Sequence, residues 1–461
     1  MSRGTVYLIG AGPGDIGLIS YKGMQRLRQA DVVLYDRLVN PLLLEEVKEG
    51  AELIYVGKLP NRHILRQEAI HDELVRQADH HQTVVRLKGG DPSVFGRVGE
   101  EAAFLDRYQV PFEIIPGITS GIAVPAYANV PVTHRTKGTS FAVATGHSQK
   151  ENSLELDWSG LAKIDTVAFY MGVKNLPRIV GNFIQHGRPE SESVLCIQWG
   201  TTSKQKVVKA TLATIVEEVK SHGIGNPAIT LVGTVAELYK GKSWFEDQPL
   251  FGHYPLVLAE GASSLVSDLR QAGAEAFAPK VALQQDENCV TFYSSDDVEV
   301  FIEQLREEAV DIRTISLDLV AVTASAQNAL KHYGLLAASL ERKTEDESML
   351  SNLDEKWTTA TNVILGRLQE EQSITDIILS SSQRLPHLFK IVEQYPELRE
   401  VPIYSDQEEV VKTLCTLGFL GVRVSGQTPS VLGQWLHARQ GKVMNDASYS
   451  LRRSWQPSPN W

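Results

Sequence analysis

Between residues 4 and 115 short apolar runs alternate with amphipathic segments, and this alternation restricts the fold more than any other feature of the chain. The apolar runs are Val6–Gly10, Val32–Asp36, Glu52–Gly57, Thr83–Lys88 and Phe112–Ile115. Between them Ser20–Gln29, Leu42–Val47 and Arg66–Ala78 carry helical spacing. Strands separated by helices predict a parallel sheet with helices on its faces, because parallel neighbours need a long crossover. A second set follows: Ser140–Thr145, Thr166–Met171, Ser193–Gln198 and Ala228–Gly233, with helix-like Asn175–Gln185 and Thr211–Ser221 between them. The fold class is α/β, with two lobes before residue 240. The stretch KGKSWFEDQPLFGHYP, residues 240 to 255, breaks both periods and marks a domain boundary.

Beyond it Leu256–Ala259 restarts a strand pattern, and a loose duplication follows. NCVTFYSSDDVEVFIEQL and TDIILSSSQRLPHLFKIV each read as strand, serine-rich turn and helix. Each is followed by a further strand and a helix ending in glycine, LVAVTASAQNALKHYG and VPIYSDQEEVVKTLCTLG. Two similar halves predict a bilobed α/β domain with a cleft. The acidic segment at 341–356 reads as solvated surface, and residues 441–461 as a mobile tail.

With 461 residues there is room for two to four domains, and 43% apolar and 22% charged residues suit a globular protein. No apolar run approaches the roughly 18 residues of a membrane span. The opening MSRGTVYLIG enters a strand almost at once, without the apolar stretch of an export signal. Cys196, Cys289 and Cys415 lie far apart, without zinc spacing or disulfide density, so a reducing cytoplasm and no metal are expected. A net charge of -11 argues against broad nucleic-acid binding but leaves room for an anionic small molecule held by local cations.

The first strand runs into GAGPGD, residues 10 to 15. A dinucleotide fingerprint needs a third glycine where Asp15 stands, and Pro13 removes an amide donor from the turn. A Walker loop fails because no glycine-lysine-serine/threonine follows. Asp36 stands where a ribose-binding acid would, and a tight strand-to-helix turn alone would also account for Gly10 and Gly14. A second anchor, VVRLKGGDPSVFGRVGEE at 84 to 101, offers Gly89 and Gly90 for close backbone approach and Asp91 as an acceptor. A third, PGITSGIAVPAYANVPVTHR at 116 to 135, carries a Thr-Ser pair and ends in Thr133-His134-Arg135. FYMGV at 169 to 173 and NPAITLVGTV at 226 to 235 complete the set.

In that order VYLIGAGPGD, VVLYDRLV, VRLKGGDPSVFGR, PGITSGIAVPAYANVPVTHR, TGH, YMGV and NPAITLVGTV resemble the uroporphyrinogen-III C-methyltransferases of the tetrapyrrole methylase superfamily. The resemblance spans residues 4 to about 252. It implies a two-lobed tetrapyrrole methylase fold, residues 1–116 and 117–252, with S-adenosylmethionine between the lobes, no metal, and a homodimer. It further implies two successive methylations of uroporphyrinogen III to precorrin-2, on the route to sirohaem and cobalamin. Methylation of a later cobalamin precursor is the alternative.

By the same resemblance the cofactor residues are Pro13, Gly89, Gly90, Asp91, Val94, Thr119, Ser120, Met171 and Gly200, with Pro227 and Ala228 as neighbours. Met171 also has a reading as gap-filling core. Methyl transfer to a ring carbon depends on alignment and ends in loss of a proton, so a base is useful. The family pattern points to Asp36 and Lys58 as an acid/base pair; either could instead serve electrostatics alone. A substrate with eight carboxylates needs local cations, and Arg97, Arg135, Lys58, Arg62, His63 and His134 fall within matched motifs. Arg97 or Arg135 could also manage the proton, and Glu100, three positions after Arg97, could fix its rotamer. His71, Val98, Asn129 and Val130 depart from the expected pattern beside these residues and bear on substrate positioning.

Residues 253–440 resemble uroporphyrinogen-III synthase, more distantly, in FYSSDDVEVF, VAVTASAQNALKHYG, IILSSS and LGFLGVRVSGQTPSVLGQWL. That resemblance implies closure of a linear tetrapyrrole, hydroxymethylbilane, with Ser294, Ser295, Thr323, Ser380 and Ser381 as cleft candidates. The segment between Ala337 and Ser373 is short for such a domain, and the serines could simply cap helices. A binding or scaffolding module without turnover is the alternative.

Overall fold

The computed structural model describes residues 3–57, 67–146, 156–259, 262–280, 284–286, 289–292, 295–307, 318–321, 323–339, 357–371, 373–380, 384–405, 407–417, 419 and 423–424. Its first sheet contains β1 (Thr5–Gly10), β2 (Val32–Tyr35), β3 (Glu52–Tyr55), β4 (Thr83–Lys88) and β5 (Phe112–Ile115). The order is β3-β2-β4-β1-β5 and every pairing is parallel, as the alternation of strand and helix predicts. The central strands are covered on both faces, so β2 is buried throughout and Val6, Leu8, Val84 and Leu87 are fully enclosed. Ser20 caps the helix Tyr21–Arg28 through Gly23 N–H.

The helix expected at Leu42–Val47 is instead a 3-10 helix, Pro41–Glu46, started by the Asn40 side chain accepting from Leu42 N–H. Leu42, Leu43 and Leu44 are all enclosed, so this short segment is not the amphipathic surface helix its spacing suggests. They lie in a core that joins Val33 and Val85 of the first sheet to Ile364, Leu365 and Leu368 of the helix Thr359–Glu370. Each fully buried leucine contributes about 1.5–3 kcal/mol, so this core holds the rear of the chain firmly onto the first lobe.

The second sheet departs from simple parallel alternation. It contains β6 (Phe141–Thr145), β7 (Thr166–Tyr170), β8 (Ser193–Gln198), β9 (Lys206–Thr211) and β10 (Ala228–Val232), in the order β6-β7-β10-β8-β9. Only β6 and β7 run parallel; β10 is antiparallel to both neighbours, and β8–β9 is a hairpin. The sequence pattern assigns no element to residues 206–210, which form β9, and the helix expected over Thr211–Ser221 begins only at Ile215. The aromatics of the boundary stretch dock it to this lobe: Trp244 and Phe245 pack on Tyr127 at 5.0 and 4.8 Å.

Two four-stranded sheets follow. One joins β11 (Pro255–Leu258), β16 (Asp376–Leu379), β17 (Ile403–Ser405) and β18 (Arg423–Val424), all parallel. The other joins β12 (Gln284–Asp286), β13 (Cys289–Phe292), β14 (Asp318–Ala321) and β15 (Ala338–Ser339), with β12 antiparallel to β13. The chain thus leaves the first of these sheets after β11 and returns to it at β16. The tail at 441–461 lies outside the described residues. Among the described residues no helix is long and apolar enough to cross a membrane.

Candidate active site

The carboxyl ends of β1, β2, β4 and β5 open onto one face of the first lobe, where an open parallel sheet places its ligands. Gly10 stands where the loops meet: a Cβ there would lie 2.6 Å from Gly117 N and 2.7 Å from Gly90 O. Gly12 and Gly90 exchange backbone hydrogen bonds of 3.2 and 2.7 Å, and Gly90 has φ +70, a conformation that favours glycine. The first glycines are therefore used for packing loop on loop. Asp15 is equally committed: Oδ1 accepts from Gly17 N–H at 2.7 Å and Oδ2 from the Tyr127 hydroxyl at 2.7 Å. Asp91 braces the same junction, accepting from Ser93 N–H at 2.7 Å and Gly117 N–H at 2.9 Å.

A cavity of about 890 Å³ lies between these loops and the second lobe. Pro13, Gly89, Gly90, Asp91, Val94, Thr119, Ser120, Met171, Gly200, Pro227 and Ala228 all line it, together with Asp36 and Arg97. Met171, directly after β7, has left-handed backbone, φ 54, with 49% of its surface exposed, which is incompatible with a gap-filling core role. Tyr170 beside it bonds the Thr119 hydroxyl and Gly121 N–H, tying the second lobe to the helix Ser120–Tyr127. Burial raises its phenol above the ordinary range. Gly200 permits an equally close approach, since a Cβ there would lie 2.3 Å from Val124 Cγ1.

Three expected residues are not in the cavity wall. Glu100 pairs with Arg97 at 2.6 Å on the outer side of the helix Val98–Arg107. His134 and Arg135 sit in a turn closed by His134 N–H donating to Gly138 O, with Arg135 exposed. Lys58, Arg62 and His63, like Ser294 and Ser381, lie outside the described residues. Thr323 is a helix cap, accepting from Ala326 N–H at 3.1 Å. Ser295 opens the helix Ser295–Glu307, and the Ser380 carbonyl accepts from Gln407 at 2.9 Å.

Sequence reasoning missed a buried ion cluster under the cavity floor. Arg86 and Lys88 of β4 point to one face of the sheet, two residues apart, and both border the cavity. Arg86 donates to Asp36 Oδ1 at 2.7 Å and to Glu101 Oε1 at 3.3 Å; Lys88 Nζ lies 2.7 Å from Glu101 Oε2. Glu101 is 0% exposed, so its charge is tolerable only because two cations enclose it. Burial, with the Arg86 charge nearby, lowers the Lys88 ammonium below its ordinary value, against the pull of Glu101. Charged residues at alternate positions of an otherwise apolar central strand were the available signal.

The far end of the cavity is built by the rear of the chain: Tyr254, Glu275, Arg367, Leu368, Glu371 and Ser373 line it opposite Arg37, Asn40 and Lys204. Glu275 accepts from Ser203 N–H at 2.7 Å and Asn40 Nδ2 at 3.1 Å, so one carboxylate bridges both lobes. Burial of the half-enclosed side chain raises its carboxyl above the ordinary range despite these donors. Among the described residues no group of three or more His, Cys, Asp or Glu side chains is arranged to hold a metal ion. Cys196 is enclosed in β8, its thiol pushed up to about 11 by burial.

Comparison with known proteins adds independent information. The profile of the Tetrapyrrole (Corrin/Porphyrin) Methylases matches residues 5–216. A uroporphyrinogen-III C-methyltransferase of Bacillus subtilis (strain 168) is 43% identical over 365 residues, covering 75% of this chain and 75% of that protein. A protein of the same name from Priestia megaterium is 52% identical over 233 residues, 50% of this chain and 98% of that one. The crystal structure of a uroporphyrin-III C-methyl transferase from Thermus thermophilus, complexed with S-adenyl homocysteine, is 37% identical; it covers 52% of this chain and 96% of its own, with a TM-score of 0.45.

Proposed function

The chain belongs to the uroporphyrinogen-III C-methyltransferase group of the tetrapyrrole (corrin/porphyrin) methylases, and on that premise we propose that it methylates uroporphyrinogen III twice to give precorrin-2. The observation that carries this reading is convergence: every residue assigned to the cofactor, drawn from distant stretches of sequence, borders one cavity. S-adenosylmethionine, the methyl donor of the family, supplies when bound an electrophilic methyl on a sulfonium. The wall suits it. Gly89 and Gly90 leave backbone without side chains, Val94 and Met171 are apolar, and Thr119 and Ser120 bring hydroxyls. Gly90 in particular offers open space on its cavity side, with nothing nearer its Cβ position than 3.7 Å.

Each step forms a bond to a ring carbon and then removes that macrocycle's proton. Asp36 is the group proposed to take it: Arg86 occupies Oδ1, and among the described residues nothing occupies Oδ2. A positioned base of this kind is worth roughly 10²–10⁴ in rate. Arg97 and Arg37, both on the cavity wall, are proposed to grip substrate carboxylates. Lys58 as proton donor, and Arg62, His63, His134, Glu100 and Arg135 as substrate contacts, remain family-based proposals. So does the homodimer, for which the exposed apolar Ile118, just before the helix Ser120–Tyr127, and Ile122 within it are candidate contacts.

The test is anaerobic incubation with S-adenosylmethionine and uroporphyrinogen III, following the dipyrrocorphin chromophore. Its formation supports the reading; turnover confined to a later corrinoid precursor would move the enzyme to another step. For the rear domain, closure of hydroxymethylbilane is one reading and a docked module without turnover the other. Thr323 accepts from Ala326 N–H as a helix cap, which fits the second reading without separating the two. Supplying hydroxymethylbilane to the full chain separates them: type III porphyrin means synthesis, and only type I means a module without turnover.

A further inference from the structure

We propose that the rear domain completes the substrate pocket of the methyltransferase, with Arg367 and Ser373 forming a subsite for one carboxylate of the tetrapyrrole. This rests on the methyltransferase reading above. Arg367 is 8% exposed and Ser373 2% exposed, and both border the cavity. Arg367 Nη2 is satisfied, donating to Arg37 O at 2.9 Å and Glu371 Oε1 at 2.9 Å. Its Nη1 and the Ser373 Oγ are buried without a hydrogen-bond partner among the described residues. An orphaned buried donor costs about 1–3 kcal/mol, and a guanidinium more, so two such donors, closed to water in this structure but carried by residues of one cavity wall, mark a place where an acceptor is gained once the side chains turn toward it.

Charge identifies the acceptor. Arg37, Lys204 and Arg367 meet at this end, with Lys204 Nζ 2.9 Å from Glu371. Burial disfavours the Glu371 charge, but Lys204 and Arg367 outweigh it and hold the carboxyl below its ordinary value. Glu275 is half-buried, and its carboxylate is already engaged by Ser203 N–H and Asn40 Nδ2. The balance is positive, which suits an anionic group of planar geometry, and a guanidinium edge matches a carboxylate. The substrate carries eight carboxylates, while Arg86 and Lys88 at the floor are already neutralised by Asp36 and Glu101.

The experiment uses the full chain with Arg367→Met, Arg367→Lys and Ser373→Ala. KM is measured for uroporphyrinogen III and for S-adenosylmethionine, and binding of oxidised, unreactive uroporphyrin is measured by fluorescence quenching. The expected result is a rise of about ten-fold or more in the tetrapyrrole KM and uroporphyrin Kd for Arg367→Met. A smaller rise is expected for Ser373→Ala, and an intermediate one for Arg367→Lys, with the cofactor KM unchanged throughout. A lowered melting temperature with wild-type KM values would reduce Arg367 to a structural strut and overturn the subsite, as would a rise confined to the cofactor KM. If the wild-type protein neither methylates uroporphyrinogen III nor binds uroporphyrin, the methyltransferase reading itself fails, which is a distinct outcome.

Discussion

Arg86 reaches from the centre of the first sheet to Asp36 at the sheet's carboxyl edge, Nη2 to Oδ1 at 2.7 Å, and this contact fixes where the proposed base stands. Its consequence is kinetic. Asp36→Asn should lower turnover by roughly 10²–10⁴ while leaving S-adenosylhomocysteine affinity unchanged, as read by steady-state kinetics and calorimetry. Equal loss of both would show that Asp36 shapes the cofactor pocket instead.

Glu101 holds the other half of the cluster. Replacing it by alanine leaves Lys88 and Arg86 buried without their shared counter-ion, so Glu101→Ala should lose about 3–5 kcal/mol of stability in urea denaturation. A loss under about 1 kcal/mol, the size expected of an exposed pair, would mean that water reaches the cluster.

Met171 separates a binding role from a packing role. With 49% of its surface exposed, Met171→Ala should cost less than about 1 kcal/mol, against 2–5 for a core methionine, yet weaken S-adenosylhomocysteine binding several-fold. Thermal melts and calorimetry on one preparation measure both; a large stability loss with unchanged affinity would reverse the assignment.

The sequence revealed the first sheet well, because strand, turn and helix there alternate with clear periods. It was less informative at KVVKAT, a strand whose few apolar residues are flanked by lysines and which shares Thr211 with the helix expected after it. Motif residues of the cavity were legible because glycines and small residues at strand ends have few other uses. Arg86, Lys88 and Glu101 were not, because reading a strand as apolar passes over charges that only a partner on a distant helix makes tolerable. Arg367 and Ser373 were beyond local pattern altogether. They reach the cavity through the docking of a helix more than 300 residues from Arg37 in the chain.

Two carboxylates at the junction of lobes and rear domain give opposite pH signatures. Glu275 has a raised carboxyl in the native state, so its contribution is complete below the ordinary value of 4.5 and is lost as pH rises through the raised one. Glu371, lowered by Lys204 and Arg367 against its burial, contributes above 4.5, and that contribution is lost as pH falls through the lowered value. Urea midpoints across pH should therefore flatten on the alkaline side of 4.5 in Glu275→Gln and on the acid side in Glu371→Gln. Curves parallel to wild type in both variants would contradict the assignment.

The most direct measurement follows label from cofactor to product. Uroporphyrinogen III is incubated anaerobically with the full chain and methyl-labelled S-adenosylmethionine, and the tetrapyrrole is examined by mass spectrometry and NMR. Two labelled methyl groups on ring carbons, nearly abolished in Asp36→Asn, are the predicted result; an unlabelled macrocycle, or label found only as carboxylate esters, would contradict it.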